Sequence, residues 1–540
     1  MPTPVPYYIT TPIYYVNDRP HIGHCYTTLV ADCAARFQRL AGRDVFFLTG
    51  TDEHAEKVVD SAKAHDMTPL QWADRNAAAF KDAFKLFNCS NNDFVRTTEP
   101  RHKEKVEAYV RKLQSTGDIY LGDYEGWYDP SQEEYVTETT ARESNFKSPV
   151  TGRDLVKRTE KNYFFRLSKY QDALKKYIES NEGFLRPEAR RNEVLGRLRT
   201  PEGLQDIPVS RAVDASDPRS AWGILMPNDP SHRIYVWIDA LFNYLSVVDT
   251  NDRRKYWPAN VHAIGKDILW FHAVIWPCLL MALGEQLPGC VYAHSYWIRE
   301  GRKMSKSLGN FLDLETLKAY AEWAPNKEGI PLGIDALRWY LLTQGPLGAT
   351  DADFAHNKFV EVYNADLANG IGNAASRVSN MIEKYFEGKC PQGNPAESSP
   401  MHSSAGSLLS HSGDAFQSLS IDGAYARVIA FTREIDTYIT ETSPFKLAKD
   451  LANMPRVGAI LYNCAEAIRI AAVLLSPAMP TKMADLLTRL GQESPRPDGS
   501  FSKPLSELCT WGGLKPGTPI TKGPALFPRA EADAAPPSAA

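Results

Sequence analysis

Cysteine is scarce and scattered in this chain, with eight residues among 540 and no Cys-x-x-Cys pair. This pattern excludes a dense disulfide framework and favours a reducing, cytoplasmic location. No cysteine lies between Cys89 and Cys278, and no histidine lies between His102 and His232. Zinc needs about four soft ligands held close together. We therefore expect no structural zinc in residues 118–205.

The sequence also has no long apolar run and no net positive charge. No apolar run reaches the ~20 residues that span a bilayer, and the N-terminus lacks a basic, hydrophobic leader. We expect no membrane contact and no secretion. The formal net charge is −4, so a partner as acidic as RNA would have to meet local basic faces.

The remaining composition is that of a globular protein, with 43% hydrophobic and 23% charged residues. At roughly 150 residues per domain, the length predicts three or four units. Within them we predict strands at 44–49, 233–240 and 263–268, helices at 100–112, 169–180, 269–283, 357–384, 421–440, 444–451 and 457–475, a flexible loop at 393–412 and a disordered end at 529–540.

The stretch 7–36 combines a strand, a turn and a helix. Tyr7–Thr11 is β-branched and aromatic, as in a buried strand. After a turn come His21-Ile22-Gly23-His24 and an amphipathic helix. A helix N-terminus after a parallel strand attracts anions, and each imidazole can donate an N–H to a phosphate. The alternative is a core-packing turn with two surface histidines.

A second motif, Lys303-Met304-Ser305-Lys306-Ser307, follows nearly three hundred residues later and continues as Leu308-Gly309-Asn310. Alone it would be a basic, solvated loop. In this order the two motifs resemble the signatures of class I aminoacyl-tRNA synthetases. Nearly the whole chain resembles the methionyl-tRNA synthetases of the bacterial type without a zinc knuckle.

The resemblance implies an α/β fold: a Rossmann-like, doubly wound parallel-sheet catalytic domain, split by a connective insertion and followed by an all-α anticodon-binding helix bundle. The expected boundaries are 1–117 and 206–292 for the catalytic domain, 118–205 for the insertion, 293–355 for the linking domain with the second motif, 356–515 for the bundle and 516–540 for a partly disordered tail.

The activity implied by the resemblance is ATP-dependent ligation of L-methionine to tRNA(Met), including initiator tRNA, for translation initiation and elongation. The reaction passes through methionyl-adenylate and releases pyrophosphate and AMP. Positioning and charge stabilisation suffice for such chemistry, and Mg²⁺ is expected to arrive with ATP. We expect a monomer, because the family's C-terminal dimerisation appendage is not seen.

Family positions assign the ATP site. The resemblance places His21, Gly23 and His24 at the α-phosphate, and Arg211 near the reacting phosphate. It places Gly265 and Asp267 at the ribose. The loop expected over the leaving pyrophosphate contains Lys303, Met304, Ser305, Lys306 and Ser307.

The methionine pocket is likewise assigned by resemblance to Ile13, Tyr15, Asp52, Trp237, Ala240, Leu241, Tyr244, Ile268 and His272. A thioether favours aromatic walls with one or two donors, which Tyr15 and His272 would supply. Asp52 would bind the α-amino group, although it could instead cap the next helix. Singly, each aromatic residue is also compatible with core packing.

Anticodon reading falls by resemblance on Asn373 and Arg377, one helical turn apart, and on Phe445. Relatives usually have tryptophan at the last position, and phenylalanine stacks a base with less area. Packing of Phe445 inside the bundle is the alternative.

Four other functions are compatible with parts of the sequence. Leucine or cysteine specificity would need a long editing insertion or a pocket zinc, and neither is seen. A non-tRNA nucleotidyltransferase would not need the helical bundle. A catalytically inactive tRNA-binding paralogue would not need His21, His24, Lys303 and Lys306 intact.

Overall fold

The computed structural model describes residues 4–131, 134–136, 138–214, 216–299, 301–304, 310–394, 397 and 399–537. The second motif from Ser305 to Ser307, and Leu308 and Gly309 after it, lie outside these residues.

The first part of the chain alternates strands and helices, as the sequence predicts. Its elements are β1 (Pro6–Tyr15), α1 (Ile22–Leu40), β2 (Asp44–Asp52), α2 (Glu56–Ala64), α3 (Pro69–Leu86), β3 (Asp93–Arg96) and α4 (Pro100–Ser115).

The next part contains, in its described residues, two long antiparallel strands and three α-helices. Its elements are β4 (Ile119–Asp129), β5 (Glu134–Val136), α5 (Glu138–Glu143), β6 (Val156–Phe165), α6 (Gln171–Ser180), β7 (Leu185–Arg186), α7 (Glu188–Leu198), β8 (Ile207–Pro208) and β9 (Ser210–Ala212).

The chain then returns to the α/β unit and leads into a small hairpin. The elements are β10 (Leu225–Met226), β11 (Asp229–Ile234), α8 (Val236–Leu241), α9 (Asn243–Ser246), β12 (Val261–Gly265), α10 (Trp276–Leu283), β13 (Val291–His294), β14 (Trp297–Arg299), β15 (Arg302–Lys303), α11 (Leu314–Glu322), α12 (Ile334–Gln344) and β16 (Ala352–Asp353).

The last part is helical. Its elements are α13 (His356–Val362), α14 (Asn373–Phe386), α15 (Pro400–Gln417), α16 (Ile421–Thr442), α17 (Pro444–Leu447), α18 (Met454–Leu475), α19 (Pro480–Arg489) and α20 (Leu505–Leu508).

The central sheet is parallel, with strand order β3-β2-β1-β12-β13-β7. The strand order reverses between β1 and β12, and ligands of such sheets bind where the carboxyl ends of the strands meet that reversal. The motif beginning at His21 follows β1, and Gly265 ends β12. The fold therefore brings these two predicted site segments to one crevice, and the doubly wound α/β prediction is confirmed.

The region between the two halves forms its own antiparallel sheet, β5-β4-β6-β8. β7 lies within the range expected for this insertion, yet it pairs with β13 at the edge of the central sheet. A third sheet, β10-β11-β9, leads from the insertion into α8.

The predicted strand Arg233–Ala240 is wrong beyond Ile234. The strand β11 ends there, and α8 starts at Val236. Four residues of this helix, from Ile238 to Leu241, are buried. A helix buried on nearly all sides gives a continuous apolar run, which periodicity alone cannot distinguish from a buried strand. The predicted strand at 263–268 likewise ends at Gly265.

The predicted flexible loop 393–412 is also wrong, because α15 begins at Pro400. Although the stretch is rich in serine, it has an apolar helical face. Met401, Ala405 and Leu408 recur at helical spacing and are buried. Proline at the first helical position fits, since it lacks an N–H that would have no helical partner there.

Two further predictions are modified. The helix expected at 357–384 is interrupted by a π-helical stretch, Tyr363–Gly372, with non-helical backbone angles at Gly370. The end expected to be disordered from Arg529 is held at its start, where Ala530 donates to Asn364 Oδ1 at 3.0 Å.

One helical segment in the described part, Leu451–Leu475, has the length and mean hydropathy to cross a membrane, although Glu466 and Arg469 interrupt its apolar run. Its apolar window is completely buried within the protein, as a core helix would be. The bundle of which it forms the centre also packs on α1: Phe37 stacks on Phe416 of α15 with ring centroids 3.8 Å apart. In the same interface, Arg338 of α12 donates to Asp32 of α1 at 2.8 Å, with both side chains fully buried.

Candidate active site

The N-terminus of α1 is closed by two histidines. His21 is the N-cap, and its Nδ1 accepts from the Gly23 backbone N–H at 3.1 Å. His24 Nδ1 reaches back and accepts from the His21 backbone N–H at 3.3 Å. Both contacts satisfy backbone donors that a helix start leaves without partners. The two imidazole rings lie with centroids 3.9 Å apart.

Burial keeps the His24 ring neutral, and the cap decides which nitrogen carries its proton. Burial, and then the neighbouring His21, hold the pKa of His24 well below its usual range. The ring is therefore neutral at pH 7, and because Nδ1 accepts, its single proton is on Nε2. His24 thus has one N–H donor that the helix cap does not use.

Gly23 is needed by the cap itself. A Cβ at this position would lie 2.9 Å from Cε1 of the His21 ring. A larger residue would displace that ring, and with it the acceptor of the Gly23 backbone N–H.

The chain that follows the second motif contacts the first motif, His21-Ile22-Gly23-His24. The Ile22 backbone N–H donates to the Leu312 carbonyl at 3.1 Å, and His21 and Asp313 form a β-bridge. The Phe311 ring meets His21 edge-on at a centroid distance of 4.9 Å. On the other side, Lys303 ends β15, paired with Ile298 of β14. The backbone that follows the second motif is therefore held beside His21, and the backbone that precedes it is held on β14.

Gly265 and Asp267 come together at the end of β12. A Cβ on Gly265 would lie 2.6 Å from Asp267 Oδ1, so only glycine admits the carboxylate there. Asp267 is exposed. Burial raises the pKa of Tyr296, and the nearby charge of Asp267 raises it further. The neighbouring Lys266 pairs with Asp351 at 2.5 Å.

The residues predicted to bind methionine come from three segments. Ile13 and Tyr15 end β1, and Tyr15 is in register with Asp52 at the end of β2. Trp237, Ala240, Leu241 and Tyr244 lie on α8 and α9, whereas Ile268 and His272 precede α10.

Aromatic contacts join these segments into one wall. Tyr15 meets Trp237 edge-on at 5.9 Å. Trp237 stacks on Phe271 with centroids 3.8 Å apart. Phe271 was not predicted, although its place beside His272 was a usable signal. The wall is apolar and half-buried, which suits a long, unbranched apolar side chain.

The prediction that His272 donates to a thioether is contradicted by its contacts. His272 Nδ1 lies 2.9 Å from the Ile268 carbonyl oxygen, which can only accept. Burial lowers the pKa of His272 to about 4, so the neutral ring has one proton, on Nδ1. Nε2 must then accept from the Tyr244 hydroxyl at 2.7 Å. His272 orients Tyr244 and has no N–H left for a ligand.

Arg211 lies on β9, in the small sheet next to α8. Its side chain is buried, and its guanidinium carbon is 4.0 Å from the centroid of the Tyr235 ring. Nη1 donates to the Ser210 carbonyl at 2.9 Å. Tyr235 directly precedes α8, so Arg211 packs at the base of the pocket helix.

A buried carboxylate missed by the sequence analysis fixes that helix. Asp239 Oδ2 lies 2.6 Å from His54 Nδ1, and Oδ1 lies 2.7 Å from His102 Nε2. Although burial raises the Asp239 pKa, the two histidines together hold it at about 2. His54 follows Asp52 by two residues, so this contact ties α8 to the end of β2. An aspartate inside an apolar run was the available signal.

In the helical bundle, Asn373 and Arg377 lie together on α14, as predicted. Both contact Asp436 of α16. Phe445 lies on α17, the short helix between α16 and α18, and is 44% exposed. Packing of Phe445 inside the bundle, the alternative raised from the sequence, is therefore wrong.

No three His, Cys, Asp or Glu side chains within the described ranges group closely enough to hold a metal ion. All eight cysteines are free thiols.

Comparison with known proteins agrees with this geometry. The family profile described as "tRNA synthetases class I (M)" matches residues 7–144 and 141–379. The chain thus has the fold and the sequence of a class I aminoacyl-tRNA synthetase.

Individual relatives define the family within that class. The chain is 41% identical over 539 residues to a methionine–tRNA ligase of Caldanaerobacter subterraneus subsp. tengcongensis, covering 98% of this chain and 79% of that protein. It is 40% identical to the Rhizobium meliloti ligase, covering 97% and 98%. The solved Mycobacterium tuberculosis methionyl-tRNA synthetase in complex with methionyl-adenylate superposes with a TM-score of 0.86 at 35% identity, covering 97% of this chain and 100% of that one. The chain belongs to the methionyl-tRNA synthetases.

Proposed function

We propose that this enzyme activates L-methionine with ATP and transfers it to tRNA(Met), initiator tRNA included, for translation initiation and elongation. Methionine carboxylate attacks the α-phosphorus and pyrophosphate leaves. The methionyl group then moves from the adenylate to the terminal ribose of tRNA, and AMP leaves. The observation that carries the proposal is the contact of His21 and Ile22, at the helix start that His24 also caps, with the backbone after the second motif.

Two imidazoles at a helix N-terminus suit the charge that builds on the α-phosphate. His24 Nε2–H is a donor not used by the cap, and in this proposal it binds a phosphate oxygen together with His21. Donors already fixed in place need no reorganisation during the reaction. The cap holds both rings, so the helix start itself provides this preorganisation.

Lys303 and Lys306 are proposed to stabilise the leaving pyrophosphate, with Met304, Ser305 and Ser307 forming the rest of that loop. The contact of Leu312 with Ile22 supports this role because it holds one end of the loop at the start of α1, while β15 holds the other end on β14. Arg211 is proposed to act near the reacting phosphate, supported by its position at the base of α8.

The ribose of ATP is proposed to contact Gly265, with Asp267 accepting from its hydroxyls. The exposure of Asp267 at the carboxyl end of β12 supports this assignment. Mg²⁺ is proposed to arrive with the phosphates, which it binds more readily than an all-protein cage. No structural zinc is proposed, since residues 118–205 contain neither cysteine nor histidine.

The methionine pocket is proposed to consist of the aromatic wall and its surroundings, with Asp52 binding the α-amino group. Burial of Asp52 at the end of β2 supports an acceptor for an ammonium group. The apolar members Ile13, Ala240, Leu241 and Ile268 would enclose the thioether chain. Tyr15 is proposed to donate to the thioether, and the Tyr244 hydroxyl, oriented by His272, is a second polar group in this part of the site.

The anticodon is proposed to be read by Asn373, Arg377 and Phe445. The exposed ring of Phe445 supports stacking on a splayed base. We further propose a monomer, without membrane attachment, in the cytoplasm. The free thiols support a reducing compartment, and gel filtration at micromolar concentration tests the monomer.

Leucine or cysteine specificity, a non-tRNA nucleotidyltransferase and an inactive paralogue are not favoured, because the relatives reported above are methionine–tRNA ligases. The test is aminoacylation of a tRNA(Met) transcript with labelled methionine. Acid-labile, ATP-dependent label on tRNA(Met), with little on a leucine or cysteine tRNA, is expected. Absence of charging with methionine would reject the proposal.

A further inference from the structure

One carboxylate oxygen in the bundle binds both polar residues of the proposed anticodon site. Asp436 Oδ1 accepts from Arg377 Nη1 at 2.6 Å and from Asn373 Nδ2 at 3.4 Å. The donors lie one turn apart on α14, and the acceptor lies across from them on α16. Arg377 is 36% exposed and Asp436 27%, so the cluster faces solvent.

The stability of the bundle does not account for this arrangement. A half-exposed ion pair contributes little to folding, with a median of about 0–1 kcal/mol. An acidic residue on an RNA-facing surface also weakens attraction to phosphates. The charge of Asp436 is therefore unfavourable for RNA binding at such a surface, unless the residue has another role there.

Orientation of the two donors is what the contacts achieve. An arginine side chain has several rotatable bonds, and ordering it during binding costs about 0.5–1.5 kcal/mol. The contact with Asp436 fixes one end of the guanidinium of Arg377 and leaves its other N–H groups directed elsewhere. Asn373 likewise retains its carbonyl oxygen and a second N–H, so the pair can present both donors and an acceptor to a base edge.

We propose that Asp436 is a positioning residue for anticodon discrimination, which holds Arg377 and Asn373 in the orientation that reads a base. This inference rests on the proposed anticodon role of the bundle. It makes Asp436 important for choosing among tRNAs and irrelevant to methionine activation, although it contacts no RNA itself.

The experiment compares Asp436→Ala, Asp436→Asn and Arg377→Ala with Asp422→Asn as the matched control. Asp422 is an exposed acid on the same helix, 14 residues away or about 21 Å along its axis. For each enzyme, kcat and KM are measured for an unmodified tRNA(Met) transcript and for transcripts with one anticodon base changed. ATP–pyrophosphate exchange and melting temperature are measured in parallel.

The proposal predicts that Asp436→Ala lowers kcat/KM for the cognate transcript about tenfold, the usual effect of losing a charged hydrogen bond, mainly through KM. Discrimination against altered anticodons should fall, while exchange and melting temperature stay unchanged. Asp436→Asn should be intermediate, and Asp422→Asn should resemble the parent enzyme. In an Arg377→Ala background, Asp436→Ala should add little further loss, because the two residues act together.

Two results would overturn the positioning role alone. One is charging improved equally for all transcripts by Asp436→Ala, which would mean that its charge only repels RNA. The other is unchanged discrimination in Asp436→Ala while Arg377→Ala loses it. Unchanged charging in Arg377→Ala would reject the anticodon role itself, and the positioning role with it.

Discussion

The imidazoles of His21 and His24 lie 3.9 Å apart and each accepts a backbone N–H of the same helix start. One motif therefore has two functions: it caps α1 and it orients the remaining N–H groups of both rings. Substitutions at this site will affect helix stability as well as chemistry, and a useful test must separate the two.

Changing His24 to alanine should lower adenylate formation by about 10²–10³, the usual effect of losing a donor to the transition state. Lys306→Ala should have a similar effect, and methionine binding should hardly change in either variant. ATP–pyrophosphate exchange and equilibrium methionine titration measure these quantities. His24→Gln is the matched control, since glutamine at this position can still accept from the cap N–H. It should restore stability without restoring activity, and near-normal exchange in both alanine variants would reject the assignment.

The region of the chain around this motif was largely predictable from sequence. A β-branched strand, a turn and an amphipathic pattern predict the order from β1 to α1, and parallel-strand topology then places Gly265 and the His21 motif at the same edge of the sheet. The apolar run around Asp239 signalled a buried carboxylate, but its partners His54 and His102 were not predictable, because they are far away in sequence and meet it only through tertiary packing. The helix α8 was predicted as a strand because it is buried on nearly all sides, which makes its sequence a continuous apolar run.

Protein purified without chelators should contain no stoichiometric zinc. The reason is the ligand chemistry of residues 118–205, which include neither cysteine nor histidine. Elemental analysis measures the metal, with a zinc-binding relative of the family as positive control. One zinc per chain, lost together with activity on chelation, would show that the insertion is misinterpreted.

Phe445→Ala should reduce tRNA recognition by about 1–3 kcal/mol, the value of one stacked base, and leave pyrophosphate exchange unchanged. Phe445→Trp should keep or improve charging without a loss of melting temperature, because the ring is 44% exposed. Val5→Ala, which truncates another exposed apolar side chain, is the control. Unchanged charging per folded molecule in Phe445→Ala would show that the ring does not stack on the anticodon.

The fold should lose stability as the pH falls from 7 toward 4. Burial lowers the pKa of His24, His262 and His272, the last to about 4. In the unfolded chain they titrate near about 6.5, so below that pH the unfolded state binds more protons and is favoured. Each of these histidines lowers the free energy of unfolding by at most about 1.4 kcal/mol for every pH unit.

Urea unfolding at several pH values measures this loss, and an exposed histidine variant, His411→Gln, should follow the same curve as the parent. The carboxylates of Asp32 and Asp239, whose pKa values lie at about 2, lose their stabilising effect only below about pH 4. A free energy of unfolding that stays constant between pH 7 and 5 would contradict the buried, neutral state of these histidines.

The most direct test of the account is ATP–pyrophosphate exchange with each of the twenty amino acids, because this half-reaction needs no tRNA. We predict exchange that depends on L-methionine and on His24, with little response to leucine or cysteine. Exchange driven by leucine or cysteine, or none with any amino acid, would contradict the assignment of this site to methionine activation.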